Sequence, residues 1–461
     1  MADTMVCRET YGSHTEGRYV KQWDGSIKRT ERNKDATFTG IRTFVRDVFL
    51  PLGYPESVSE DYMSYQLWDT LQAFCSTIIG TLATHAMLKG AGVGDETATA
   101  TAATITWLLK DGTSMAGRIM FAWYNSSNLD CDCKKWRLFA DILNDTAFCV
   151  QILAPAFSRS LYTLIACISG LCFAIVGLVG GATRAALTMH QARRNNMADV
   201  SAKDGSQETM VNLAGLLVSL MITPIVAGHT SLTWSLFLLA VTMHIYANFR
   251  AVKSVVMETF NQARFHIVCQ AFLDCNQQQI NGVMNPAVVN PLEPVIWSQS
   301  RPFTLHLGVQ LSRLLQSSPD LDECLHSNDK EHYLMGFNNR KGEINVVLHH
   351  NATAEDVIKA CFQAEIVMFA KKQASENHPI QRQAPSHFVK DLIDVFTNGG
   401  PLSNAECWQV IRLANQTCNK LFPTCIAQMQ QAGWITSHTL LGPDEWRATW
   451  SDTGLEHEKI F

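Results

Sequence analysis

The chain has little charge for its length, and the shortage is local. Charged residues make up 17% of the 461 residues, and the deficit is concentrated between Thr70 and Phe249. Soluble proteins carry about 25% charged residues, so a uniformly soluble protein is disfavoured. The formal net charge of −5 provides no basic excess, which excludes a nucleic-acid-binding footprint.

Common catalytic and targeting signatures are also missing. The sequence contains no G-x-S-x-G, P-loop or H-E-x-x-H motif, and Gly90, Gly92 and Gly94 do not follow a predicted strand at dinucleotide-binding spacing. The N-terminus has no apolar run behind a basic start, and its early acidic residues, such as Asp3 and Glu9, argue against a transit peptide. We therefore expect an intracellular protein that is not an enzyme.

The cysteines do not form a disulfide framework. Fourteen are present, and several, such as Cys167 and Cys418, lie inside apolar helical patterns. This scatter indicates reduced core residues. Cys131 and Cys133 could form half of a metal site, but no second ligand pair follows at a recognisable spacing. We expect no metal.

Two long apolar stretches stand out against this background. Leu161–Ala182 has no ionisable side chain except Tyr and Cys, and it is long enough for a helix to cross a bilayer. Val211–Phe249 contains no Asp, Glu, Lys or Arg, and its histidines are His229 and His244. It is too long for one crossing and is interrupted at Pro224. It predicts a helical hairpin, or one crossing with a re-entrant segment, in which the two histidines face a site.

Other apolar segments are less decisive. Thr70–Leu88 is near the lower length for a crossing and could equally be a buried helix, whereas Thr97–Leu109 is too short to cross alone. Basic residues lie before and after the second long apolar stretch, so a helical hairpin would place both basic clusters on the same side of the membrane. By the positive-inside rule, that side is the cytosol or its equivalent. These basic residues are Arg184, Arg193, Arg194, Lys203, Arg250 and Lys253.

Gln191–Glu208 is a dense polar block between the two apolar stretches. Its arginines could simply anchor to lipid headgroups and set orientation. Its adjacent asparagines and its acids are better suited to hydrogen-bonded recognition, so both interpretations stay open. The candidate ligand or partner site consists of Arg193, Arg194, Asn195, Asn196, Asp199, Lys203, Asp204, Ser206, Gln207 and Glu208.

Two further patterns lie on predicted helices. Asp141, Asn144 and Asp145 share one face; inside a membrane they would mark a proton or substrate path, but the polarity of Trp136–Asp145 favours a solvated surface. Gly177 and Gly181 form a G-x-x-x-G pair that predicts close helix packing in a bundle or self-association.

Composition and pattern divide the chain into four parts. Residues 1–47 form a polar, flexible or loosely docked arm, 48–264 a helical membrane core, 265–300 a proline-containing linker and 301–461 a soluble α+β domain. In the last part, 332–337 and 344–349 predict a β-hairpin, Thr353 and Ser403 predict helix N-caps, and Glu406 completes a capping box with Ser403.

Longer motifs carry a family resemblance. They include LWDTLQAF at 67–74, GVGDETAT at 92–99, WRLFADILND at 136–145, HIYANFRAV at 244–252 and DEWRATW at 444–450. With the polar block, they resemble the root UV-B sensitive (RUS) family, in the order and spacing of its animal member. The resemblance implies a link to UV-B response, development and vitamin B6 status. It implies no catalytic residues, and pyridoxal phosphate enters only by family association.

Together these features predict a mainly α protein, with a membrane-embedded helical core and a smaller soluble α+β domain. The leading interpretation is membrane-embedded ligand binding or transport by the polar block with His229 and His244. One alternative is a membrane-tethered adaptor whose C-terminal domain binds a protein. A third is an enzyme or carrier of a vitamin B6 compound with Lys203 as a Schiff base, which needs a lysine of lowered pKa. The bilayer is the expected partner, nucleic acid is not, and homo-oligomerisation, ligand and organelle stay open.

Overall fold

The computed structural model describes residues 4–11, 14–30, 44, 46–90, 100–125, 129–157, 159–274, 283–297, 300–315, 331–376, 389–397 and 402–450. The chain divides into two compact units. We call Met1–Val255 the helical unit and Val256–Phe461 the C-terminal unit. The motif at 92–99, with Gly92 and Gly94, lies outside the described residues.

The helical unit begins with an antiparallel sheet of three strands, β1 (Thr4–Tyr11), β2 (His14–Lys21) and β3 (Ile27–Thr30). An ion pair joins Arg29 on β3 to Glu9 on β1, the two strands that flank β2, with 3.1 Å between Nη2 and Oε2. This part of the expected polar arm is therefore ordered into strands. The alternating charges that suggested a loose arm lie on these strands, and Arg29 and Glu9 attract each other across β2.

Long helices follow in the described part of the helical unit. They are α1 (Tyr62–Gly90), α2 (Ala100–Asn125), α3 (Cys133–Leu153), α4 (Arg159–Gln191), α5 (Met197–Val226) and α6 (Thr230–Ser254). The break between α5 and α6 comes where Pro224 and the turn at 227–229 predict it, which confirms the helical hairpin.

Side-chain contacts show that these successive helices alternate in direction. Gln72 on α1 meets Asp141 on α3, one turn beyond the contact of Asp69 with Arg137, so α1 and α3 are parallel. Contacts between α3 and α4 run the opposite way along the chain, because Gln151 meets Ser169 while Phe148 meets Phe173. The C-terminal ends of α1, α3 and α5 therefore lie together at one end of the helical unit, which we call the far end.

The outer surface of these helices is apolar. Leu164, Leu213, Leu220 and Leu239 are all exposed, whereas several charged side chains are buried. Of the described helices α1 to α6, all except α2 are long and apolar enough to cross a membrane. The segment expected to be too short at 97–109 continues as α2 to Asn125. The mainly helical fold class is confirmed.

The C-terminal unit is smaller and mixes helices with strands. Its elements are β4 (Thr259–Asn261), α7 (Gln262–Asp274), α8 (Pro286–Leu292), β5 (Thr304–Leu307), β6 (Tyr333–Asn338), β7 (Glu343–His349), α9 (Ala354–Glu376), α10 (Lys390–Thr397), α11 (Asn404–Gln431), β8 (Ile435–Leu440) and β9 (Arg447–Ala448). Strand β7 pairs antiparallel with β6 and parallel with both β5 and β9, and β4 pairs with β8. Helices α9 and α11 pack together over β6.

Local predictions for this unit are confirmed. β6 and β7 form the expected hairpin, and Ser403 and Glu406 form the capping box. Residues 265–274, expected as linker, instead belong to α7, where Phe265 and Leu273 are buried in the unit's core. The prolines that suggested a linker lie only in and after α8, so they do not interrupt the helix before it.

Candidate functional site

The interior of the helical unit holds a group of polar side chains that we call the buried polar cluster. Each is at most 9% exposed. Its members come from α1, α3 and α6, near the middle of α3 and α6 and in the first half of α1: Gln72, Asp141, Asp145, His244 and Asn248. Spacings of four residues place Asp141 with Asp145, and His244 with Asn248, on the inward face of their helices.

Hydrogen bonds connect the cluster as one chain. His244 Nδ1 lies 2.8 Å from Asp145 Oδ2, and His244 Nε2 lies 2.9 Å from Gln72 Nε2. The Gln72 amide also donates to Asp141 Oδ2 at 2.9 Å, and Asn248 donates to the same oxygen. With the Gln72 amide in this orientation, His244 Nε2 accepts from Gln72 and His244 Nδ1 donates to Asp145.

An ion pair lies beside the cluster. Arg137 Nη2 is 2.8 Å from Asp69 Oδ1, and the Tyr65 hydroxyl donates to the same oxygen at 3.3 Å. Asn248 also donates to the Arg137 carbonyl at 3.4 Å, which links the pair to the cluster. The region therefore contains three carboxylates and one guanidinium, and Asp69 already engages that guanidinium.

Two buried atoms in this region have no hydrogen-bond partner among the described residues: Asp145 Oδ1 and Arg137 Nε. Buried polar atoms are rarely unsatisfied in folded proteins, so each one calls for an explanation. An unsatisfied carboxylate oxygen on an inward face can accept a hydrogen bond from a bound molecule or a water molecule.

The placement of these acids corrects the surface interpretation of α3. Asp141 and Asp145 are buried, and both face the interior of the bundle. The polar residues of 136–145 suggested a solvated surface. The two acids among them instead share one helix face and form hydrogen bonds there with side chains of α1 and α6. Sequence reasoning missed Gln72 and Asn248. The detectable signal was a polar residue at i, i+3 or i, i+4 from another within an otherwise apolar helix, such as Asp69 with Gln72.

The two histidines predicted to face one site are separated. His244 is fully buried in the cluster, whereas His229 is exposed at the N-cap of α6. They lie on one helix slightly more than four turns apart, at about 3.6 residues per turn. The expectation that His229 lines a site with His244 is therefore wrong, because α6 places them at different depths.

The polar block forms a short connection and the first turns of α5, and it packs on the segment before α1. Asp199 accepts from Leu52 N at 2.7 Å, Asn196 donates to Ser57 O at 3.1 Å, and Arg193 N donates to Ser57 O. Gln207 Nε2 donates to Phe49 O. These contacts fasten 47–62 to the helices.

Its remaining members also make contacts within the chain. Lys203 Nζ donates to Asp47 O, Ser206 donates to Ala202 O, and Asp204 and Glu208 pair with Arg184. Asn195 has a positive φ of 54° in the turn between α4 and α5, a conformation that asparagine tolerates. Arg194 lies against Gly53. None of the block's residues reaches the buried polar cluster through a hydrogen bond described here.

Gly177 and Gly181 lie on an exposed face of α4. A Cβ added at either glycine would meet no described atom within 4 Å. The prediction of close packing inside the bundle is therefore wrong for the described residues, because α4 turns this face outward. Close packing occurs at other glycines: a Cβ on Gly215 would lie 2.9 Å from Thr77 Cβ, where α5 meets α1.

The buried cysteines of the C-terminal unit have no reactive setting. Burial raises the pKa of the Cys361, Cys418 and Cys425 thiols. A buried thiol with a raised pKa stays protonated and is a poor nucleophile. Within the described residues, no group of three or more His, Cys, Asp or Glu side chains could hold a metal ion.

Comparison with known proteins identifies the family. Residues 36–276 match a domain described as the vitamin B6 photo-protection and homoeostasis domain, and 282–450 match the C-terminal domain of root UVB sensitive proteins. The chain belongs to the root UVB sensitive family. The C-terminal match begins beyond α7, which the structure places in the core of the C-terminal unit.

Relatives extend across plants and amoebae. The chain is 32% identical to root UVB sensitive 3 of Arabidopsis thaliana, over 94% of this chain and 95% of that protein. It is 44% identical to RUS family member 1 of Dictyostelium discoideum over 60% of this chain, a match that spans 52% of that relative. A chloroplastic relative, root UVB sensitive 2 of Arabidopsis thaliana, is 23% identical over 92% of this chain. No solved structure matches.

Proposed function

We propose that the helical unit spans an intracellular membrane and binds or carries a small molecule, a vitamin B6 compound, at the buried polar cluster. The observation that carries this proposal is the cluster itself: polar side chains of three helices joined at mid-helix, with a buried Asp145 oxygen unsatisfied. Ionisable residues inside a membrane are costly and mark substrate or ion paths, and carriers bind substrates near the midplane. The domain description supplies the link to vitamin B6.

Charge at the helix ends supports a membrane orientation. Arg137, Lys203 and Arg250 lie near the start of α1, because their helices contact the segment from Asp47 to Asp69 there. The far end carries fewer basic residues: the turn joining α5 and α6, 227–229, has no Lys or Arg, whereas Lys89 lies in the last turn of α1 and Arg159 begins α4. By the positive-inside rule, the end of the bundle that holds the start of α1 faces the cytosol or its equivalent.

Transport through purified protein in liposomes tests the proposal. We expect uptake of tritiated pyridoxine above that of empty liposomes, and a large decrease in the double variant Asp145→Asn with His244→Gln. Asp111→Asn, on the exposed side of α2, is the matched control and should keep wild-type uptake. Uptake by folded wild-type protein at the level of empty liposomes rejects the proposal. Quantitative release of the native protein by alkaline carbonate rejects membrane spanning.

A second function, an adaptor that binds a protein partner, is favoured by one feature of the C-terminal unit. Val288, Leu292, Ile296 and Trp297 are exposed on and just after α8, with Trp297 80% exposed. Exposed apolar patches of this kind mark interaction sites.

Vitamin B6 chemistry through a Lys203 Schiff base ranks third, because Lys203 is held at the Asp47 carbonyl, outside the buried polar cluster.

A further inference from the structure

We infer that the buried polar cluster takes a ligand that binds through a protonated nitrogen, an ammonium or pyridinium group, and that carries no phosphate. This inference rests on the proposed function, and it names the class of ligand. Among vitamin B6 compounds, it selects the unphosphorylated forms. Two observations support this class of ligand: the excess of carboxylates over cations in the region, and one buried carboxylate oxygen with no hydrogen-bond donor among the described residues.

The region has an excess of acid. Asp141 and Asp145 are buried in it, Asp69 lies beside them with its side chain 16% exposed, and the described cationic groups among them are Arg137 and, when protonated, His244. Asp69 engages the Arg137 guanidinium at 2.8 Å, and His244 lies 2.8 Å from Asp145 and 3.9 Å from Asp141, where a protonated imidazole pairs with one carboxylate. When His244 is protonated, three carboxylates still face two cations, so one carboxylate lacks a cationic partner, and a buried carboxylate in that position is strongly destabilised.

One carboxylate oxygen points to where the missing partner binds. Asp145 is 4% exposed, and its Oδ2 atom accepts from His244. Its Oδ1 atom is buried with no hydrogen-bond donor among the described residues. A protonated nitrogen would supply both the missing hydrogen bond and the missing positive charge, in a charge-assisted bond of the strong type.

A metal ion and a phosphate fit this place less well. Within the described residues no His, Cys, Asp and Glu group can hold a metal ion, which favours an organic cation. A phosphate needs arginine, lysine or a helix N-terminus. Here a phosphate would meet Asp141 and Asp145, and the nearby arginine, Arg137, is already paired with Asp69. Helices α3 and α6 pass through the region at mid-helix, away from their N-termini.

A matched pair of probes tests the inference: pyridoxamine and pyridoxamine 5′-phosphate, which share a ring and an amine and differ in the phosphate. Binding of each to the full-length protein in detergent is measured by equilibrium dialysis. We expect pyridoxamine to bind at least about tenfold more tightly than its phosphate ester. Asp145→Asn should weaken pyridoxamine binding about tenfold or more, the effect of one charged hydrogen bond, whereas Asp111→Asn should leave it unchanged.

Each other result overturns the inference. Equal or tighter binding of the phosphate ester refutes the ligand class but leaves the proposed function standing. If neither probe binds while liposomes still take up pyridoxine, the inference fails alone; if uptake is also absent, both fail. Unchanged pyridoxamine binding in folded Asp145→Asn places the ligand elsewhere. The comparison of the two probes on wild-type protein needs no variant, so a misfolded Asp145→Asn protein does not weaken the test.

Discussion

Arg184 on α4 and Asp204 on α5 form an ion pair across the turn that joins their helices, with 2.7 Å between Nε and Oδ2. The other Asp204 oxygen accepts from Gln66 on α1 at 3.0 Å. One acid of the polar block therefore joins three helices. This role explains its charge without a ligand, and it separates the block from the buried polar cluster.

Loss of the Asp204 charge should destabilise the helical unit. We expect Asp204→Asn to lower the melting temperature in detergent by about 2–4 °C, because Asp204 is mostly buried while Arg184 keeps contact with solvent and with Glu208. Glu208→Gln is the control; its more exposed carboxylate should matter less. A larger effect from Glu208→Gln would contradict this assignment.

Gly215 and the pair Gly177 and Gly181 should respond oppositely to substitution by leucine. Gly215→Leu must displace Thr77, so we expect it to destabilise the bundle by about 1–3 kcal/mol. Gly177→Leu with Gly181→Leu places side chains in open space and should leave the melting temperature of the monomer unchanged. Thermal melts in detergent measure both, and size-exclusion chromatography reports any loss of self-association. Destabilisation by the Gly177 and Gly181 double variant alone would show that α4 packs differently.

Sequence alone predicted the periodic and locally encoded features. The α5–α6 hairpin follows from Pro224 and the turn after it, and the capping box follows from Ser403 and Glu406. Both depend on residues near each other in the chain, where the chemistry of turns and caps is readable.

Features that depend on distant partners were not readable. Asp141 looked like a surface acid because its partners, Gln72 and Asn248, are far away in sequence and lie on other helices. Gly177 looked like a packing residue because the motif is local, whereas its neighbours are set by the rotation of α4 in the bundle. Burial of polar residues is decided by tertiary packing, which periodicity does not contain.

The boundary of the C-terminal unit makes a prediction about fragments. Phe260, Phe265 and Val289 are fully buried in the core of this unit, and Phe260 stacks on Trp434 with ring centroids 4.2 Å apart. A fragment starting at 301 lacks all of these except Trp434. We expect 256–461 to give a cooperative thermal melt by circular dichroism and 301–461 to give none. A cooperative melt of the shorter fragment would show that α7 and α8 are dispensable.

The fragment 256–461, once its cooperative melt is established, tests whether Asp356 at the start of α9 makes a pH-dependent contribution to the free energy of unfolding. Burial raises the pKa of this carboxyl, but hydrogen bonds from Thr353 N and Oγ1, both 2.7 Å, and from His332 outweigh it and hold the pKa below its usual value. Because the folded pKa lies below the unfolded one, the stabilisation is complete above the unfolded value of about 4 and is lost as pH falls through the folded value.

Asp356→Asn should therefore lower the free energy of unfolding at pH 7 by about 1 kcal/mol, the size of a capping contribution, and the difference from wild type should shrink as pH falls below about 4. Urea unfolding at a series of pH values measures this difference. Glu355→Gln is the control, because it removes a carboxylate from the same first turn without removing a described hydrogen bond to Thr353 or His332. Its effect on the free energy of unfolding at pH 7 should be smaller. A difference for Asp356→Asn that stays constant from pH 7 to pH 3 would show that the carboxylate charge does not stabilise this helix start.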